Sequence, residues 1–73
     1  MLLVPVESSN LAAAGYDPDA NEMQIQFRSG RIYQYENIPP EIYQAFIMAP
    51  SKGSFFAHNI RNLPGVYLYT RLL

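Results

Sequence analysis

Apolar and polar residues alternate on both sides of a Ser-Gly pair in residues 23–36, MQIQFRSGRIYQYE, and the rest of the chain can be placed against that pattern. Met23, Ile25 and Phe27 alternate with Gln24, Gln26 and Arg28, the period-two signature of a strand with one apolar and one polar face. Past the turn, Arg31, Tyr33 and Tyr35 alternate with Ile32, Gln34 and Glu36, so the turn decides which set joins Phe27 on the apolar face. A two-residue turn pairs Arg28 with Arg31 and leaves both tyrosines on a polar, aromatic face with the glutamines. A three-residue turn closed by a bulge at Gly30 pairs Phe27 with Arg31 and lays Tyr33 and Tyr35 against Ile25 and Met23. The second separates apolar from polar positions more cleanly and is the preferred reading.

The flanking segments follow from the same kind of pattern. Residues 1–6 are apolar but interrupted by Pro5, which donates no ladder hydrogen bond and suits a sheet edge or an interface arm. Residues 8–16, SSNLAAAGY, read as a first strand, and the Asp17, Pro18, Asp19, Ala20, Asn21 run reads as the turn into an antiparallel second strand. After Glu36, Pro40 opens a helix whose apolar face is Ile42, Phe46 and Ala49, with Tyr43 and Ile47 alongside, and Pro50 ends it. Ser51 reads as the N-cap of a second helix that turns Phe56 and Ile60 to the sheet and Ser51, Ser54, His58 and Arg61 away from it. A turn at Pro64 and Gly65 then leads into an alternating apolar tail, a terminal strand or a docking arm. The expected fold is α+β: a three-stranded antiparallel sheet, four- or five-stranded if the ends join it, packed on two short helices in the order β-β-β-α-α with apolar terminal arms. One domain spans 1–73, with a core at 8–61 and arms at 1–7 and 62–73.

Composition narrows the picture. A chain of 73 residues buries only about 60% of its unfolded surface, so stability is marginal. With no cysteine and one histidine there is no disulfide and no zinc site. The apolar opening is too short for a signal peptide or a membrane span, which makes a cytoplasmic protein without membrane attachment the expectation. A hydrophobic share of 49% exceeds what so small a core needs and points to a homo-oligomer, a dimer first, through the terminal arms. A net charge of −1 excludes a broad basic face, so any nucleic-acid site must be local.

Taken together, these residues resemble the KTSC family, named for an extension at the C-terminus of some lysyl-tRNA synthetases. The resemblance covers 8–61 and rests on Gly15-Tyr16-Asp17, residues 23–30, Tyr33 and Tyr35, Ile38-Pro39 with Tyr43, and Ala49-Pro50-Ser51-Lys52-Gly53 with Phe56 and Ile60-Arg61. It implies a single-domain bacterial or phage protein of a family for which RNA binding has been proposed. Pro50 before the serine and the apolar ends depart from the family pattern.

Catalysis finds no constellation, because His58 has no carboxylate or nucleophile identifiable beside it in sequence, and no cofactor is implied. Asp17, Asp19, Asn21 and Glu22 lack the sixth-position glycine and twelfth-position glutamate of a calcium loop and read as turn chemistry. A candidate phosphate pocket is Ser51, Lys52, Gly53 and Ser54 at a helix start, competing with an ordinary N-cap. Arg61, Arg28 and Arg31 extend the basic patch, and Tyr33, Tyr35, Tyr16 and Phe55 could stack a base. Three functions stay open: an RNA-binding module, an oligomer that sequesters a small nucleotide, and a protein-protein interaction module.

Overall fold

The computed structural model describes residues 1–61 and 65–73; Pro64, read above as part of the turn before the tail, lies outside them. Five strands form one antiparallel sheet in sequence order: β1 (Val4–Pro5), β2 (Leu11–Asp17), β3 (Glu22–Phe27), β4 (Ile32–Tyr35) and β5 (Tyr69–Arg71). Between β4 and β5 come α1 (Pro40–Met48), α2 (Lys52–Phe56) and a π-turn (Ala57–Arg61) continuous with α2. The α+β architecture is the expected one in its five-stranded form. The two ends are therefore not free arms: β1 pairs with β2 (Val4 opposite Ala14) and β5 with β4 (Tyr35 opposite Tyr69) within one copy.

The hairpin takes the bulged register. Met23 lies opposite Tyr35 and Ile25 opposite Tyr33, with Gln24 beside Gln34 on the other face, where their side-chain amides bond at 3.0 Å. The Phe27 amide donates to Arg31 O at 2.8 Å and the Gly30 amide to Phe27 O at 2.9 Å. Gly30 sits at φ +97°, a conformation that costs glycine nothing and other residues strain.

Both helices cover one face of the sheet. Leu11, Met23, Ile25, Ile38, Phe46, Phe56 and Ile60 are almost wholly buried there, which accounts for the apolar positions of β2, β3 and both helices. Pro40 starts α1 and Ala49, extended at ψ 137° before Pro50, stops it. On α1 Phe46 is buried and Ile42 and Tyr43 are partly covered, whereas Ile47, expected alongside them, is exposed. Tyr16 stacks on Tyr43 with ring centroids 4.7 Å apart and donates its hydroxyl to Ile38 O at 2.6 Å, fastening the entry to α1 onto the β2–β3 end of the sheet.

Candidate functional site

The hairpin tip, the Ser8–Asn10 segment before β2, and the last turn of the helical segment meet at one corner of the sheet around an open cleft of about 470 Å³. Arg28, Arg31 and Arg61 stand round it, Phe27, Tyr33 and Tyr35 line it beneath, and Ser9, Asn10 and Ser29 complete the wall. Among the described residues no acidic side chain lines it, although the chain carries six acids against five bases.

Each arginine is placed by a different element. Arg28 leaves β3 at the turn; its amide donates to Asn10 O at 3.0 Å and its Nε to Ser8 O at 2.8 Å. Arg31 follows the bulge and is exposed. Arg61 lies over the Phe27 ring, its Cζ 5.6 Å from the ring centroid, a cation–π contact. A continuous α-helix would have set Arg61 on the same side as Ser54 and His58. The wider π-turn rotates it toward the hairpin instead.

The aromatic floor is packed. Phe27 meets Tyr33 edge-on at 5.8 Å and Phe56 at 5.9 Å, and Tyr35 meets Phe56 edge-on at 5.3 Å. Tyr69 of β5 stacks against Tyr33 at 5.7 Å. Tyr35 is only 3% exposed, and its hydroxyl has no hydrogen-bond partner among the described residues. Its side chain is part of the cleft lining. Burial raises the Tyr35 phenol above its ordinary value, with Arg61 pulling the other way, and the hydroxyl stays a donor at neutral pH.

The sequence-based candidates therefore divide. Arg28, Arg31, Tyr33, Tyr35 and Arg61 come together, whereas Ser51, Lys52, Gly53, Ser54 and His58 lie outside the cleft lining. Ser51 Oγ accepts the Ser54 amide at 3.4 Å, and Lys52 folds back so that Nζ donates to Ala49 O at 3.3 Å. Gly53 is needed for packing: a Cβ there would lie 2.5 Å from Asn10 Oδ1 and 3.1 Å from Ser8 Oγ. His58 Nδ1 lies 2.8 Å from Ser54 O, where the ring N–H donates within its own helix. This is a capped helix start docked on the Ser8–Asn10 turn, not an open phosphate cradle. Of the other two aromatics considered, Tyr16 packs on Tyr43 and Phe55 lies 6.4 Å from Phe46, both away from the arginines.

Phe27, Ser9, Asn10 and Ser29 were missed as cleft residues. Ser29 lies in the same turn as Arg28 and could have been included on adjacency alone. Ser9 and Asn10 could have been found by extending the β2–β3 pairing, since Leu11 opposite Phe27 brings the residues before β2 to the hairpin tip. Among the described residues no group of three or more His, Cys, Asp or Glu could hold a metal, and no helix is long and apolar enough to cross a membrane.

A five-stranded antiparallel sheet with two helices on one face and a basic, aromatic-floored cleft at one corner defines a small α+β domain. The chain belongs to the KTSC domain family, whose model matches residues 7–63. An uncharacterised protein of Stutzerimonas stutzeri is 39% identical over 72 residues, covering 99% of both chains. A crystal structure of a KTSC domain protein from Yersinia pestis is also 39% identical, with a TM-score of 0.89 over 99% of this chain and 97% of that one. A lysine–tRNA ligase of a Nostoc species is 33% identical over 70 residues, which is 96% of this chain but 12% of the ligase.

Proposed function

We propose that this chain is a non-catalytic binding module that takes RNA or a nucleotide in the arginine-tyrosine cleft. One observation carries the reading: three of the chain's five basic side chains converge on a cleft with no acid among the described residues of its lining, although the chain as a whole is slightly acidic. Guanidinium groups form paired hydrogen bonds to phosphate, and tyrosine rings offer a base a stacking surface, so the two residue types together match a nucleotide unit. The relatives named lysine–tRNA ligases, in which a similar segment makes up about a tenth of the chain, agree with an RNA ligand. A cytoplasmic location follows from such a ligand, and self-association through the exposed apolar edge of the sheet belongs to the same proposal.

Titration of a labelled single-stranded oligoribonucleotide, followed by anisotropy across a salt series, tests the site. Arg31→Ala and Arg61→Ala should each weaken binding by about 10–100-fold, the equivalent of losing a hydrogen bond to a charged group. Lys52→Ala should leave it unchanged, because that side chain caps Ala49. The logarithm of affinity should fall with a slope of about −0.7 per phosphate contacted. Affinity unmoved by both arginine variants would reject the cleft.

A further inference from the structure

We infer that the cleft is built for a terminal phosphomonoester of a nucleotide, free or at the end of an RNA strand, and not for a phosphodiester inside one. This rests on the reading of the cleft as a nucleotide site and specifies what part of the nucleotide it holds. Two features of the corner point this way.

The first is size. The amide and Nε of Arg28 bond to Asn10 O and Ser8 O, which ties the hairpin tip to the segment before β2, and Phe27 and Tyr35 line the cleft beside it. The volume of about 470 Å³ falls toward the low end of small-ligand sites, roughly 300–1,000 Å³, and suits one nucleotide.

The second is charge and donor count. An internal diester carries one negative charge, while a monoester carries about 1.5 to 2 at neutral pH and presents three strong acceptor oxygens. Three guanidinium groups with no acid among the described lining residues match the dianion better than the monoanion. Tyr35, whose side chain lines the cleft, adds a neutral hydroxyl donor to the three charged groups. A third acceptor oxygen gives that donor a partner that a diester, with two free oxygens, supplies less readily.

The test compares versions of one short oligoribonucleotide that carry a 5′-phosphate, a 3′-phosphate or hydroxyls at both ends, with a nucleoside monophosphate, its nucleoside and inorganic phosphate as competitors. One phosphorylated end should bind at least about tenfold more tightly than the hydroxyl-ended strand. The preference should shrink below about pH 6, where the monoester takes up its second proton. It should also collapse in Arg31→Ala, whose fold is checked by circular dichroism, and shrink about fivefold in Tyr35→Phe, which keeps the ring. A free monophosphate that binds as tightly as the phosphorylated strand identifies a free nucleotide as the source, and one that competes only at far higher concentration identifies a strand end. Equal affinity for phosphorylated and hydroxyl-ended strands overturns this inference and leaves the nucleotide reading standing. Absence of binding by every probe overturns both.

Discussion

The Tyr35 ring packs edge-on against Phe56, and the same side chain lines the arginine-bearing cleft. Removing only the oxygen should therefore separate stability from binding. Tyr35→Phe should melt within about 0.5 kcal/mol of the parent, because the hydroxyl bonds to no described residue, while affinity for the nucleotide drops about fivefold, the worth of one hydrogen bond. Phe56→Ala is the opposite case. With 1% exposure its ring is core, and truncation should cost about 3–5 kcal/mol in urea unfolding, a large share of a small domain's stability. The buried phenols also set an alkaline limit. Burial raises Tyr35 and Tyr43 above the ordinary value of 10.0, so their protonated forms are favoured in the folded state. That contribution is complete below about pH 10 and is lost as pH rises through the folded-state values, at up to about 1.4 kcal/mol per pH unit for each tyrosine. Unfolding free energies flat between pH 8 and pH 11, read beside tyrosinate absorbance, would contradict it.

Among the elements, the hairpin was the most legible from sequence, because its two candidate registers differ in which face receives Tyr33 and Tyr35 and only the Gly30 bulge keeps both beside Ile25 and Met23. The start of α2 was legible as an N-cap, and its glycine was ambiguous for a physical reason. A residue without a Cβ permits close approach of a phosphate or of protein, and here the neighbour is Asn10, which lies far away along the chain. The π-turn left no trace in the pattern. Buried Phe56 and Ile60 satisfy helical spacing equally well with or without the wider turn, so only the direction of Arg61 reveals it. The link from Arg28 to Ser8 was hidden for a related reason: it spans 20 positions and uses a backbone carbonyl, which no residue identity announces. An apolar run at residues 1–6 and apolar alternation in the tail marked each end of the chain as a strand or a docking arm. Alternation carries no information about whether a strand pairs within its own copy or with another, and the arms turn out to be β1 and β5 of one sheet.

At the scale of the molecule, the sheet's two edges differ in kind. β1 is two residues long and includes Pro5, which cannot donate to a further strand, so that edge is blocked against extension. β5 has no such guard. Its backbone faces β4 on one side, with the Leu72 amide donating to Ile32 O at 2.8 Å and the Glu36 amide to Leu68 O at 2.9 Å, and among the described residues no strand pairs with the other side. Around it Val66, Leu68, Tyr69, Leu72 and Leu73 are all between 48% and 67% exposed, an apolar patch of the kind that marks contacts in small soluble domains. Two copies pairing β5 to β5 about a two-fold axis would join their sheets and cover both patches, the simplest closed assembly for such an edge. Light scattering behind a sizing column should therefore give twice the chain mass of 8.3 kDa at micromolar concentration. Leu68→Glu combined with Leu72→Glu should halve that value without lowering the melting temperature, since both side chains are surface-exposed in one copy and the new charges would oppose one another only across the pair. A monomer mass for the parent chain, or a dimer that survives the double substitution, would place the association elsewhere or remove it.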